Sequence, residues 1–182
     1  MPDLRPLRFV FFGHSIVSDW RNPTAKSSRA LLRAINQLGH ETRFLEERGN
    51  RATVELLRAR GSAPLREFAG DFPDIVYRTY ELPKGLERTV WLAREIGDVD
   101  VVVALNDAPL ELLDELAHVP LPRLVRVILV TGKDPPRFTP DILMSIPESM
   151  SFDATSFAES LVQQATSELA RRRLSPRDGV IA

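Results

Sequence analysis

Short apolar runs alternate with helically spaced apolar positions along most of the chain. Residues Arg8–Gly13 read Arg-Phe-Val-Phe-Phe-Gly. Their length and their aromatic and β-branched content predict a strand buried on both faces, with a turn at the glycine. A polar stretch, 14–24, leads into a helix in which Ala30, Leu31, Ile35 and Leu38 recur at helical spacing. Gly39 is its stop signal. Residues 41–46 then read as a strand centred on Phe44 and Leu45. A strand, a helix and a strand within roughly 40 residues match the size of a parallel crossover.

The rhythm continues. Arg51–Arg60 predicts a helix with Val54 and Leu57 inward and Gly61 at its end. Residues 63–68 suit a short helix, 74–79 a third strand, and 87–96 a helix carrying Val90, Ala93 and Ile96. Residues 98–104 form the clearest central strand, through Val99, Val101, Val102 and Val103. Pro109 opens another helix through Leu110, Leu113 and Leu116. Residues 124–130 are a fifth buried strand. Beyond Gly132 the prolines Pro135, Pro136, Pro140 and Pro147 oppose long regular structure. A short strand is expected near 149–152. Residues 156–173 form a long helix with Phe157, Leu161, Ala165 and Leu169 on one face, expected to pack back on the domain.

This pattern predicts an α/β fold: a doubly wound, Rossmann-like domain with a mainly parallel sheet of five or six strands, residues 1–182 forming a single domain. The expected order of the first five strands is 3-2-1-4-5. The loops after the strands (14–24, 47–50, 80–85, 106–108 and 131–134) would then share one sheet edge, and any site belongs there.

Composition narrows the chemistry. With 43% hydrophobic and 27% charged residues, the 182-residue chain is ordinary globular material. A net charge of −1 offers no footprint for nucleic acid. The absence of cysteine excludes disulfides, thiolate nucleophiles and cysteine-bound zinc. His14, His40 and His118 lack metal-ligand spacing, so no metal is expected, and no cofactor either. The N-terminus has no apolar signal region, and the longest apolar stretches, 9–12 and 101–105, are too short to span a bilayer. A cytoplasmic protein without a membrane span is the expectation.

The candidate site residues follow the strands. The loop Gly13-His-Ser-Ile-Val-Ser-Asp-Trp-Arg-Asn-Pro-Thr24 leads into a helix through Thr24, Ser27 and Ser28. Hydroxyls and free amides at a helix start suit an anion; they equally serve as ordinary caps. The glycine-rich dinucleotide fingerprint is absent. His14 follows the strand-ending Gly13 and is placed either as a general base or as a turn hydrogen-bonder. Ser15 lies beside it. Trp20 suits stacking on a sugar or base, or covering the sheet edge. Asn106 and Asp107 follow the central strand, where ligand contact and helix capping compete. Thr131-Gly132-Lys133-Asp134 resembles a truncated phosphate loop or a turn that needs glycine. Arg171-Arg-Arg173 complements the dipole of the last helix.

The segment Phe11-Phe-Gly-His-Ser-Ile-Val-Ser-Asp-Trp-Arg-Asn-Pro-Thr-Ala, with Arg29-Ala-Leu-Leu-Arg-Ala, Leu38-Gly-His-Glu and Phe44-Leu-Glu-Glu-Arg-Gly-Asn50, carries a family resemblance. It resembles the N-terminal, acceptor-side domain of bacterial GT-B-type glycosyltransferases, in the group related to spore-maturation proteins. The stretches Tyr77-Arg-Thr-Tyr and Trp91-Leu-Ala-Arg-Glu95 extend it, over roughly residues 8–132. Arg21 and Pro23 stand where that family has glycines, and Thr24 where it has histidine. The stretch after Gly132 is too short for a second Rossmann-like domain. The resemblance therefore implies an acceptor-side half that binds a sugar or glycosyl acceptor. Donor contacts to a nucleotide sugar would come from a separate chain or from a homodimer mate, and His14 would be the base. A non-catalytic binding or interaction domain that kept the fold is the competing expectation. A small flavodoxin-like nucleotide-binding enzyme is a third.

Overall fold

The computed structural model describes residues 5–17, 24–119, 123–130, 138–146 and 152–174. The elements run β1 (Arg8–Gly13), α1 (Thr24–Gln37), β2 (Glu41–Glu47), α2 (Arg51–Arg60), α3 (Ala63–Asp71) and β3 (Val76–Tyr80). They continue α4 (Leu86–Ile96), β4 (Val101–Leu105), α5 (Leu110–His118), β5 (Val125–Val130), β6 (Ile142–Ser145) and α6 (Ala154–Leu174). All strand pairs are parallel, in the order β3-β2-β1-β4-β5-β6. This is an α/β, Rossmann-like sheet, and its first five strands take the expected order.

The sheet is covered on both faces because its strands are apolar at successive positions, which point to opposite sides. On one side Phe9 and Phe11 of β1, Phe44 of β2 and Val101 and Val103 of β4 join a core with Leu31, Leu32 and Ile35 of α1 and Leu161 of α6. On the other, Val10, Phe12, Leu45, Val102 and Ala104 meet Leu92 and Ile96 of α4 and Leu112, Leu113 and Leu116 of α5. Gly39, with φ of +85°, ends α1 in a backbone conformation that favours glycine.

Several inward expectations are corrected. Val90 is 72% exposed, and Leu38 and Leu110 are exposed too. In α4 the core line is Leu92 and Ile96, one helical turn apart. At about 100° per residue Val90 lies on the far side of that line. In α2 the buried residues are Ala52, Thr53 and Leu56, whereas Val54 and Leu57 are half-buried. The sixth strand is residues 142–145, between Pro140 and Pro147, which a short edge strand tolerates as flanks. Of the strand expected near 149–152, residues 149–151 lie outside the described residues, and Phe152 is not in a strand.

Candidate functional site

The sheet order reverses between β1 and β4, which pair directly from Phe9–Val101 to Phe12–Ala104. The chain leaves these strands at the same sheet edge and in opposite lateral directions, so a crevice opens there. His14 leaves β1 and Asn106 and Asp107 leave β4 at that crevice. The Asn106 N–H donates to the Leu129 carbonyl at 3.1 Å, fixing the turn against β5.

The fold brings the Asp107 carboxyl within electrostatic reach of His14 and of its backbone N–H. Asp107 is open to solvent on one side and crowded by protein on the other. Desolvation raises its carboxyl above the ordinary value; the His14 charge, the His14 backbone N–H and its own N–H pull the other way. A carboxylate near an imidazole favours its cationic form.

Ser15 turns away from the crevice. It is buried, and its hydroxyl lies 2.8 Å from that of Thr53. Thr53 in turn donates to Glu46 Oε1 at 2.5 Å, and the Ile16 N–H donates to Glu46 Oε2 at 3.3 Å. Arg29 clamps the same loop through the Ile16 carbonyl at 2.7 Å, with its guanidinium 5.0 Å from the Phe72 ring centre. Asn50 caps α2 by accepting from the Ala52 and Thr53 N–H groups, which sets Thr53 in place. The segment after His14 is thus tied to the end of β2 and the start of α2.

The remaining candidates are dispersed. Gly13 ends β1 in contact range of Phe44 and Leu105. Ser28 is buried on the inner side of α1, and Ser27 is half-buried beside it. Trp20, Thr131 and Gly132 lie outside the described residues. Sequence reasoning missed Glu46 and Thr53. The available signal was a carboxylate directly after the apolar pair Phe44-Leu45, at the sheet edge where sites form. Among the described residues no cluster of three or more His, Cys, Asp or Glu is placed to hold a metal ion. Among them, too, no helix is long and apolar enough to cross a membrane.

Glu46 is 1% exposed. Burial raises its carboxyl above the ordinary value near 4.5, opposed by the Thr53 hydroxyl, the Ile16 N–H, Tyr77 and Ser15. The Tyr77 hydroxyl faces this carboxyl without a hydrogen bond of normal geometry. An acid whose folded value is raised binds its proton more tightly when folded. Its stabilising contribution is full below the unfolded value and is lost as pH rises through the folded one. Glu46→Gln should therefore gain stability relative to wild type as pH rises above about 4.5. Thermal melts of both proteins between about pH 4 and pH 8 check this; a constant difference across that range would contradict it.

No family model matches the chain. No curated protein matches it either. Among solved structures it is similar to an alpha,alpha-trehalose-phosphate synthase (UDP-forming) from Burkholderia xenovorans in complex with glucose-6-phosphate. The identity is 15% and the TM-score 0.49, covering 93% of this chain and 38% of that one. The chain spans well under half the length of that enzyme. The fold assignment rests on strand order and register.

Proposed function

We propose that this chain is a glycosyltransferase-like, acceptor-side domain in which His14 and Asp107 act as a base pair on a sugar or other glycosyl acceptor. The observation that carries the reading is the placement of these two residues at the reversal between β1 and β4, with the Asp107 carboxyl within electrostatic reach of His14. In the reaction, the acceptor hydroxyl oxygen bonds to the anomeric carbon of a nucleotide sugar. The bond from that carbon to the nucleoside diphosphate breaks, and the diphosphate leaves with its electron pair. The hydroxyl proton passes to the His14 imidazole. Asp107 faces the resulting positive charge, which favours its ionised form. The donor would be held by a domain other than this one. The resemblance of residues 11–50 to the acceptor-side domain supports the same reading.

The second reading, a non-catalytic binding domain, is favoured by a different observation. Ser15 and Ser28, two of the hydroxyls nearest the crevice in sequence, are committed to the interior.

Three measurements test the proposal. Carboxyl 13C NMR should show the Asp107 titration moving further upward in His14→Ala, because a charge that lowers it is removed. An unmoved titration would mean the pair is not coupled. Titration with free sugars and nucleotide sugars should shift the His14, Asn106 and Asp107 resonances first. With a competent donor and acceptor, His14→Ala should lower kcat by about 100- to 10,000-fold with little change in KM. Weakened binding without loss of turnover would favour the binding-domain reading.

A further inference from the structure

Glu46 ends a polar chain that runs through the interior toward His14. The Thr53 hydroxyl donates to Glu46 Oε1 at 2.5 Å and lies 2.8 Å from the Ser15 hydroxyl. The Ile16 N–H donates to Glu46 Oε2 at 3.3 Å. Ser15 directly follows His14, and Ile16 comes next. Arg29 holds the Ile16 carbonyl from the other side at 2.7 Å. The backbone leaving His14 is therefore fixed within two residues, while the backbone entering it is fixed by β1. Ser15, Ile16, Glu46 and Thr53 are all buried, so bulk water does not replace a partner lost among them.

Thr53 has one hydroxyl proton. With Glu46 ionised, that proton points at Oε1, so Thr53 accepts from Ser15. With Glu46 protonated, the acid proton has two places to go. On Oε2 it would face the Ile16 N–H, donor against donor. On Oε1 it donates to Thr53, whose own proton then turns toward Ser15. Ser15 changes from donor to acceptor, and its proton needs a different partner. Oε2 keeps the Ile16 N–H in both states.

The surroundings make this change accessible. Burial favours the neutral carboxyl, opposed by hydrogen bonds from Thr53, Ile16, Tyr77 and Ser15. The Glu46 charge also reaches Tyr77 and Tyr80 of β3, and burial with that charge keeps both phenols protonated. The register partners of Glu46, Gly13 of β1 and Thr79 of β3, bring no charge. Arg51 and Glu55 of α2 pair with each other at 2.8 Å, and Arg29 of α1 is engaged at the Ile16 carbonyl and the Phe72 ring. Among the described residues no cation acts on the carboxyl.

We propose that Glu46 is a positioning residue for His14: it fixes the turn that carries the imidazole through the Ile16 N–H and through the Thr53–Ser15 hydroxyls, and taking up a proton reverses that hydroxyl chain. This rests on the reading of His14 as the base, yet it is measured without donor or acceptor.

The test is NMR of the full chain between about pH 4 and pH 9, following the Glu46 carboxyl carbon, the Ser15 amide and the His14 ring. The Ser15 and His14 signals should each carry a step that coincides with the Glu46 titration. In Glu46→Gln the amide oxygen can accept from Ile16 and the amide NH2 can donate to Thr53, which reproduces the protonated arrangement. This variant should lose the step and hold the Ser15 amide at its low-pH position. Thr53→Val cuts the chain and leaves the charge. It should move the Glu46 titration upward, because a donor to the ionised form is lost, and shrink the His14 step at least twofold. A Glu46 carboxyl that titrates without a step at His14, or that does not titrate while the chain is folded, would overturn the proposal. So would a step that survives in Glu46→Gln, or one of full size in Thr53→Val, which would mark a direct field instead of the chain. If the steps are present but Asp107 is unmoved in His14→Ala, the base reading fails and the positioning of the turn by Glu46 stands.

Discussion

Deleting α6 should abolish the cooperative thermal transition, and Leu161→Ala alone should cost about 2–5 kcal/mol. Ala158, Leu161, Ala165 and Leu169 form the buried stripe of this helix, which packs against α1 and reaches β5. Leu161 is 0% exposed. Without α6, the side chains of α1, β5 and β6 that it covers would face water. Each buried leucine contributes about 1.5–3 kcal/mol. A domain of this kind has only about 5–15 kcal/mol in total. Polar ties at the far end of α6 add to the effect. Arg172 is 2.5 Å from Asp141 and also donates to the Leu124 carbonyl. Circular dichroism melts of Leu161→Ala and of a chain ending at residue 153 check this. An unchanged melting temperature in either would show that α6 is dispensable.

Gly13→Ala should cost about 1–3 kcal/mol, through crowding rather than backbone strain. A methyl group at Gly13 would stand 2.8 Å from Phe44 Cζ and 3.3 Å from Leu105 Cδ1. Both neighbours are buried in the core, and the Phe44 ring is stiff. One of them must move, or the end of β1 must. For a chain of this size the melting temperature should fall by roughly 2–4 °C per kcal/mol. The double variant Gly13→Ala with Phe44→Leu should lose less than the sum of the two single losses, because the shorter side chain vacates the crowded space. Strict additivity would refute the crowding account. The same displacement would move His14, the next residue, so ligand shifts at the crevice should weaken together with stability.

The alternation of elements was legible in the residues. Arg8–Gly13 and Arg51–Arg60 have the expected bounds, and the other expected strands through 130 and helices overlap the observed ones within a few residues. This follows from local physics. Apolar runs flanked by glycine and proline have few alternatives to buried strands, and parallel strands demand covering helices. Strand order followed from right-handed crossovers and the usual doubly wound pattern.

The inner faces of helices were less legible. Val90 and Leu110 fit an apolar period, yet the tertiary contacts select Leu92 and Ile96 in one helix and Leu112, Leu113 and Leu116 in the other. Hydrophobicity marks which residues can be buried; the orientation of a helix on the sheet decides which are. The site shows the same division. The positions of His14, Asn106 and Asp107 at the crevice edge follow from strand order alone. That Asp107 comes within electrostatic reach of His14, while Ser15 turns inward to Thr53 and Glu46, depends on the placement of residues far apart in sequence. Such contacts leave no local periodicity. Glu46 reads in sequence as one more strand-end carboxylate. Only the packing of the β1–α1 loop and α2 over β2 makes it a buried acceptor for Thr53 and the Ile16 N–H.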